Sequence, residues 1–351
     1  MRNDTRQQFN QFASQVAKLN GVPDATQKFA VEPSIQQRLE KRVQESSDFL
    51  SRINFIGVDE LKGEKLKLGI SGPIAARTDV ANRERSTRDL ATLDAQGYEC
   101  RMTEFDTHIG YAKLDAWAKF PNFQAMIRDA IVRQQALDRL MIGFNGTSAA
   151  KQTDPAANPL LQDVNIGWLQ HYRDQAPERV MKDGKTAGKI VIDPTKTTDA
   201  DGNTELVGDY ATLDALVYDA VNGLIEPWYR SAPGMVVIVG RSLMSDKYFP
   251  LLNQNLPSEQ MAADLVISQK RIGGLQGMDV PYFPDNAIMI TPLDNLSIYW
   301  QNGARRRHVA ENPKRNRIEN FESSNDAYVV EDFEAGCLIE NIEMSPAALH
   351  G

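Results

Sequence analysis

The longest helical pattern in the chain is PNFQAMIRDAIVRQQALDRLMIGFNG, residues 121–146. Pro121 is a residue favoured in the first turn of a helix, and Gly146 is a candidate terminator. The positions that keep a three–four rhythm are Phe123, Met126, Ile127, Ala130, Ile131, Gln134, Leu137, Met141 and Phe144. The pattern predicts a rod of roughly 24 residues and about 36 Å, about twice the usual helix length. We interpret it as the spine of the fold.

A charged region punctuated by glycines, residues 57–97, precedes this helix. It contains the alternating run KLKLGI at 65–70, which is typical of a strand. The residues that follow, 75–94, are almost entirely polar. Strand-like ends around a polar stretch predict a long projecting hairpin. Because two-stranded ribbons are marginal alone, this hairpin needs a neighbour to lie on.

The N-terminal residues predict a small amphipathic helix. Its apolar stripe is Phe9, Phe12, Val16 and Leu19, and Gly21 and Pro23 end it. Residues 22–28 are polar, like a linker. The helix is therefore either docked on the body of the protein or a detachable segment with its own partner.

A second amphipathic helix is expected after Pro33, with Ser34 as its N-cap. Its apolar positions are Ile35, Leu39, Val43, Leu50 and Ile53.

The C-terminal half predicts a compact α/β unit. A helix is expected over residues 211–228, followed by the buried strand MVVIVG at 235–240 and by a helix that begins after Ser242. Further strands are expected at 287–291, 296–300, 327–333 and 336–342, and a short helix should carry Trp168, Leu169 and Tyr172. Residues 182–208 are weakly hydrophobic and are expected to form an exposed loop, whereas residues 100–111 alternate like a strand. The fold class is α+β.

Length and charge exclude several classes of protein. The chain has 351 residues and a formal net charge of −8, which argues against a dedicated nucleic-acid binder. No run of eighteen apolar residues occurs, and no secretory signal is expected at the polar N-terminus. Cys100 and Cys337 match no metal-ligand spacing, and we expect them to be buried and unreactive in a reducing, cytoplasmic setting.

The sequence contains no recognisable catalytic constellation. The four histidines, His108, His171, His308 and His350, have no partners at zinc-ligand spacing, and the nucleophile elbow and the phosphate-binding loops are missing from the sequence. Residues 199–203 resemble a calcium loop only superficially and are expected to form a surface turn. We therefore predict that the protein is not an enzyme and has no cofactor, no essential metal and no catalytic residue.

One basic cluster remains, comprising Arg305, Arg306, Arg307, His308, Lys314, Arg315 and Arg317. Acidic residues are interleaved with it. The favoured interpretation is a solvated, salt-bridged strand edge, followed by a subunit contact and then by nucleic-acid binding.

Several long stretches of the sequence resemble the major capsid proteins of peduoviruses, the P-two-like tailed phages, which have the Hong Kong 97-type fold. The stretches are FAVEPS (29–34), QESSDFL (44–50), KGEK (62–65), LIEPWY (224–229), VVIVGR (236–241), ISQKRIG (267–273) and VVEDFEAGCL (329–338). The resemblance runs from residue 1 to about residue 342.

The resemblance implies a division of the chain into the parts of that fold. They are a cleavable, scaffold-interacting segment at 1–29, an N-arm at 30–56, an extended E-loop at 57–98, a peripheral domain at 99–208 with its spine at 121–146, an axial domain at 209–312, and a return to the peripheral domain at 313–351.

The resemblance also implies a function. Many copies would assemble in the host cytoplasm as pentamers and hexamers into an icosahedral virion shell around double-stranded DNA, which the shell contacts non-specifically. The other partners would be an internal scaffold with a maturation protease and a portal protein, with no membrane involved. Proteolytic processing would occur at Phe29 and Ala30, and no Lys–Asn crosslink is expected. Two alternatives are an encapsulin-type cellular nanocompartment shell and an oxidoreductase or transferase built on the α/β unit.

Overall fold

The computed structural model describes residues 1–68, 75, 77–80, 82–85, 91–117, 123–198, 203–245 and 271–349. Six helices can be followed in these ranges: α1 (Asn3–Leu19), α2 (Pro33–Glu45), α3 (Tyr111–Trp117), α4 (Phe123–Asn145), α5 (Trp168–Gln175) and α6 (Leu213–Leu224). Residues 241–245 are also helical, as the sequence predicts, and a short helix covers Pro346–Leu349.

The strands of the first half of the chain are β1 (Phe29–Ala30), β2 (Asn54–Val58), β3 (Lys62–Leu68), β4 (Ala91–Glu99), β5 (Arg101–Glu104), β6 (Thr107–Gly110), β7 (Val180–Met181), β8 (Ile190–Ile192), β9 (Lys196–Thr198) and β10 (Thr204–Leu206). Those of the second half are β11 (Met235–Val239), β12 (Arg271–Ile272), β13 (Leu275–Asp279), β14 (Ile288–Pro292), β15 (Leu296–Gln301), β16 (Arg306–Asn312), β17 (Arg317–Val330), β18 (Cys337–Ile339) and β19 (Ile342–Met344).

A seven-stranded sheet has the order β1-β16-β17-β15-β2, with β5 and β6 also paired to β17. The 14-residue strand β17 is its longest member and touches most of the others. β2 runs parallel to β15, whereas the other pairs are antiparallel. This sheet places the N-terminal strand β1 next to β16.

A six-stranded sheet has the order β12-β13-β11-β14-β18-β7. All five residues of β11 are buried, because both faces of the sheet are covered. Val236 and Ile238 join a large apolar cluster shared with α4, α5 and the seven-stranded sheet, whereas Val237 and Val239 join a second cluster with α6. Burial of both faces explains why this strand is a continuous apolar run in the sequence, and the prediction of a strand there is confirmed.

The predicted boundary between the axial domain and the C-terminal return, after residue 312, lies between two paired strands of one sheet. The strands β15 and β16, residues 296–312, pair in the seven-stranded sheet with β17, while β18 pairs with β14 in the six-stranded sheet. Membership of a sheet does not test the residue boundaries of the domains, which stay a prediction.

The spine helix is present, but the predicted apolar stripe only partly matches its buried face. Phe144 is buried as predicted, whereas Ala130 and Gln134 are exposed and Leu137 is half-buried. The buried residues that the predicted stripe omitted include Val132, Ala136, Leu140 and the polar Gln135 and Arg139. Pro121 lies outside the described residues.

The helix α2 also differs from its prediction. Glu32, not Ser34, is its N-cap residue, because Pro33 occupies the first turn, and the helix ends at Glu45. The buried side chains are Gln36, Glu40 and Val43.

Two further expectations need correction. The segment 182–208 is not wholly an exposed loop, because Ile190 and Ile192 of β8 are fully buried and β8 pairs with β19. The extended segment from Cys100 ends before Tyr111, where α3 begins.

Candidate processing and assembly site

The helix α1 is docked on the body of the protein through polar contacts near its start. The Arg6 guanidinium donates two hydrogen bonds to the Glu311 carboxylate, at 3.0 and 2.8 Å, and the Tyr111 hydroxyl donates to the same carboxylate at 2.6 Å. The hydrogen bonds from Arg6 and Tyr111 hold the pKa of Glu311 below its usual value. The backbone N–H of Arg2 donates to Asp115 at 2.9 Å. These contacts tie the first turns of α1 to α3 and β16.

The packing beneath α1 is incomplete. A cavity of about 430 Å³ lies between α1 and the body, and its lining includes Phe9 and Phe12 on one side and Ile127, Ile131 and Ile318 on the other. Dispersion contacts are lost wherever apolar walls do not meet. The helix is therefore held less firmly than an element of the main core.

The linker after α1 touches the body at a few points. Gly21 has a φ of +63°, the left-handed conformation that ends a helix and favours glycine. Thr26 donates two hydrogen bonds to Asp24, and these lower the pKa of that carboxyl group. The Val309 N–H donates to the Ala25 carbonyl oxygen at 3.2 Å.

The predicted processing residues lie in a paired strand. Phe29 is opposite Arg307 and Ala30 is opposite Arg306, and the Val31 N–H donates to the Arg305 carbonyl oxygen at 2.9 Å. The Phe29 side chain is buried, whereas Ala30 is exposed. Among the described strands, β1 ends the order of its sheet, so it has a strand on one side alone. A protease would need this two-residue edge strand to leave β16, with local opening that also exposes the Phe29 side chain.

The basic cluster beside this strand is not a solvated edge throughout. Arg306 is exposed, but Arg305 is only 1% exposed and its guanidinium pairs with Glu40 at 2.7 Å and Glu322 at 2.9 Å. Arg317 is ion-paired with Glu319 at 2.6 Å. The expectation of salt bridges is confirmed, and the expectation of full solvation is wrong for Arg305.

The predicted hairpin is confirmed at its base, where β3 and β4 pair antiparallel from Lys62 opposite Glu99 to Leu68 opposite Ala91. The rings of Tyr98 and Tyr299 meet edge to face at 5.0 Å and join this base to the seven-stranded sheet. Much of the hairpin between residues 69 and 90 lies outside the described residues. Within the described part, residues 82–85 are exposed.

The two cysteine thiols and the His171 imidazole are largely buried, away from solvent. Burial raises the pKa of both the Cys100 and the Cys337 thiol to about 12, so both predicted buried cysteines are confirmed. Burial, assisted by the nearby Lys65, lowers the pKa of His171 to about 4. In the described ranges, no three His, Cys, Asp or Glu side chains group as a metal site would require. Of the calcium-like fragment, only Asn203 lies in the described residues.

The described helices include none that is both long and apolar enough to cross a membrane.

Sequence reasoning missed the buried charged residues Glu40, Arg139 and Asp326. They lie far apart in the sequence, on α2, α4 and β17, and the stretch around Glu40 resembles an ordinary polar surface. The available signal was a charged position close to apolar residues, as at Arg139 in the spine helix and Asp326 before Ala327.

Comparison with known proteins places the chain among capsid proteins. The family model described as "Phage major capsid protein, P2 family" matches residues 8–342. "Capsid proteins" of Escherichia phage P2 are 51% identical, with 98% of this chain and 96% of that protein covered. The "Major capsid protein" of Serratia phage KSP20 is 41% identical, with 97% of each covered.

A solved structure agrees with the sequence relatives. It is described as "Satellite phage P4 procapsid including size determination (Sid) protein", and it matches with a TM-score of 0.80 and 47% identity over 99% of this chain and 100% of that one. The α+β fold is therefore of the Hong Kong 97 type, and the function is that of a shell subunit of a virion, not of a cellular nanocompartment. The chain belongs to the P2 family of phage major capsid proteins.

Proposed function

We propose that this capsid protein assembles in the host cytoplasm, as pentamers and hexamers, into an icosahedral head shell around double-stranded DNA. The family match over residues 8–342 is the observation that carries the proposal. The hairpin supports it, because a two-stranded ribbon is marginal until it lies on a neighbour. The net charge of −8 is consistent with a shell that contacts DNA non-specifically, because a negative subunit does not bind the DNA tightly. A portal protein and an internal scaffold complete the set of partners.

Residues 1–29 are removed during maturation, between Phe29 and Ala30, by a protease associated with the scaffold. The contacts of α1 support this step, because they lie at the surface and beside an incompletely filled cavity. The segment carries four basic side chains and two acidic ones. Its loss changes the formal net charge from −8 to −10, which increases the repulsion between subunit and DNA.

The protein has no enzymatic activity in this proposal. Neither cysteine is a thiolate at neutral pH, because burial raises both pKa values to about 12. The remaining expectation, that subunits are not crosslinked through Lys and Asn, is supported at Lys65, whose side chain is buried.

Intact-mass measurement of subunits from purified, DNA-filled heads tests the processing step. The expected mass is that of residues 30–351, and shells assembled with an inactivated phage protease are the control that should retain residues 1–29. Full-length subunits in filled heads would refute the cut. A new N-terminus beyond Ser34 would place the junction elsewhere.

Sedimentation and negative-stain imaging test assembly. Co-expression of the chain with its scaffold should give pentamers, hexamers or closed shells. A well-folded monomer as the only species would contradict the proposal.

A further inference from the structure

Five ionisable side chains are buried together beneath α2, and none is more than 5% exposed: Glu40, Arg139, Arg305, Glu322 and Asp326. We call them the buried ion network. They come from α2, from α4, from the residue before β16, and from β17. Burying charges is costly unless each is paired with good geometry. Such a group is retained where it specifies one arrangement of the elements that meet there.

Arg139 is the centre of this network. Its guanidinium lies 2.6 Å from the Glu40 carboxylate and 3.0 Å from the Asp326 carboxylate. The same group lies 5.8 Å from the ring centroids of both Phe55 and Phe105. One side chain of the spine therefore contacts α2, β2, β17 and the segment between β5 and β6. A planar guanidinium can stack on aromatic rings while it bridges two carboxylates, whereas an ammonium has no plane with which to stack.

Glu40 is the residue of α2 that belongs to the buried ion network. One carboxylate oxygen accepts from Arg139 on the spine, and the other accepts from Arg305 at 2.7 Å. Arg305 in turn donates to Glu322 and Gln135, at 2.9 Å each. A single carboxylate therefore connects α2 to both the spine and the sheet.

A second buried side chain of α2, Gln36, also makes directional hydrogen bonds. The Gln36 amide donates to the Gln301 carbonyl oxygen at 3.1 Å and accepts from the Gly303 N–H at 3.0 Å. Val43 is the one apolar side chain of α2 among its buried residues. Val43 and the half-buried Leu39 pack in the main apolar cluster, whereas the hydrogen bonds of Gln36 and Glu40 depend on direction. The polar contacts therefore add a directional restraint on how α2 lies on the spine.

We propose that Glu40 is a positioning residue for shell assembly: through Arg139 and Arg305 it fixes the angle at which α2 lies on the subunit, and shells of one size require that angle. The opposite face of α2 is exposed and carries Gln37, Arg38, Lys41, Arg42 and Glu45. Rotation of α2 moves this whole face, and with it every contact that the face makes with a neighbour. Because each subunit of a closed shell repeats the same contacts, a small angular error accumulates.

The test is Glu40→Met in the full chain co-expressed with its scaffold. Arg139 then keeps Asp326 as its ion partner and Arg305 keeps Glu322, so the substitution leaves each of these buried charges paired. The matched control is Glu45→Met, which removes an exposed carboxylate of the same helix.

The readouts are the melting temperature of the subunit and the diameters of particles in electron micrographs. We expect folded subunits with a cooperative melting transition from both variants, with the single particle size lost in Glu40→Met and retained in Glu45→Met. Particles of one normal size from folded Glu40→Met subunits would overturn the proposal, since the network would then contribute to stability and not to assembly.

If that variant does not fold, Glu40→Asp decides the question. It keeps the charge but is shorter by one methylene, so it cannot reach both arginines at once. Folded subunits with irregular particles are expected, and uniform particles would overturn the proposal.

Discussion

The side-chain ammonium of Lys65 donates a hydrogen bond of 2.6 Å to the backbone carbonyl oxygen of Val330. Lys65 belongs to β3, at the base of the hairpin, and Val330 ends β17 of the seven-stranded sheet. The ammonium also lies 5.5 Å from the centroid of the Phe333 ring. A buried cation therefore joins the projecting hairpin to the body.

Lys65→Met should loosen the base of the hairpin. The substitution leaves the Val330 carbonyl without this donor, at a cost of about 1–3 kcal/mol. Cys100 follows β4 and is 2% exposed, so its alkylation reports opening there. We expect Cys100 to react about tenfold faster or more, while Cys337 stays protected. Mass spectrometry of maleimide-treated subunits measures both rates.

Lys62→Met is the control for this measurement. Lys62 is exposed and pairs with Glu99 at 2.8 Å, a contact of little net stability. Equal Cys100 rates in the two lysine variants would show that Lys65 does not hold the hairpin.

Val16→Asp should release α1 from the body. Val16 is 6% exposed and belongs to an apolar cluster with Ala17, Ala25 and Phe29, so a carboxylate there costs several kcal/mol. We expect limited proteolysis within residues 20–32 to accelerate strongly. Leu19→Asp, on the same helix but 55% exposed, should leave the rate unchanged. Similar cleavage of both variants would mean that α1 is not docked through this cluster.

Glu322 should make the subunit sensitive to acid. Burial alone would raise the pKa of Glu322, but ion pairs with Arg305 and Arg307 and a hydrogen bond from Gln135 outweigh it and hold the pKa at about 2. Because this pKa lies below the unfolded value, the stabilisation is complete above about pH 4.5 and is lost as the pH falls towards 2. The loss is about 3 kcal/mol.

Urea unfolding of the subunit at a series of pH values from about 6 to about 2 measures how its free energy of unfolding depends on pH. The Glu322→Gln variant should be less stable at neutral pH, and its free energy of unfolding should change less with pH below about 4.5. Glu45→Gln, at an exposed carboxylate of α2, is the control and should keep the slope of the unaltered chain. An unchanged slope in Glu322→Gln would assign the acid sensitivity to other groups.

Gly143→Ala should destabilise the subunit although alanine favours helices. A Cβ at Gly143 of α4 would lie 2.3 Å from the ring of Trp168, which is fully buried. Overpacking of this kind costs about 1–3 kcal/mol. Gly223→Ala in α6 is the control, since its Cβ would meet nothing within 4 Å, and it should be neutral or stabilising by up to about 1 kcal/mol. Thermal unfolding distinguishes the two, and a Gly143→Ala variant as stable as Gly223→Ala would contradict the packing.

The sequence predicted well those elements whose burial follows apolar periodicity. The strand β11 and the helix α6 are where the pattern places them, because both bury apolar faces alone. Part of the buried face of α4 was missed, because its apolar residues Val132, Ala136 and Leu140 alternate with two polar ones. Burial of those two, Gln135 and Arg139, depends on polar partners on other elements. The strand β8 was missed because three residues in a polar loop give no period, and its burial depends on β19 at the far end of the chain.

The resemblance to capsid proteins could identify the candidate processing residues, but not that Phe29 and Ala30 pair with Arg307 and Arg306. The buried ion network depends on contacts between residues up to 265 positions apart, such as Glu40 with Arg305. Pairings of that range have no local signature.

The two largest apolar clusters include no residue before Leu39, and the first helix makes its apolar contacts in small separate clusters. The packing of α1 is therefore largely separate from that of the interior. A substitution in α1 has to suit two shallow patches, one around Leu114, Val309 and Ile318 and one around Phe29 and Val31. A foreign helix with the same apolar spacing could thus be grafted onto this subunit without redesign of its core.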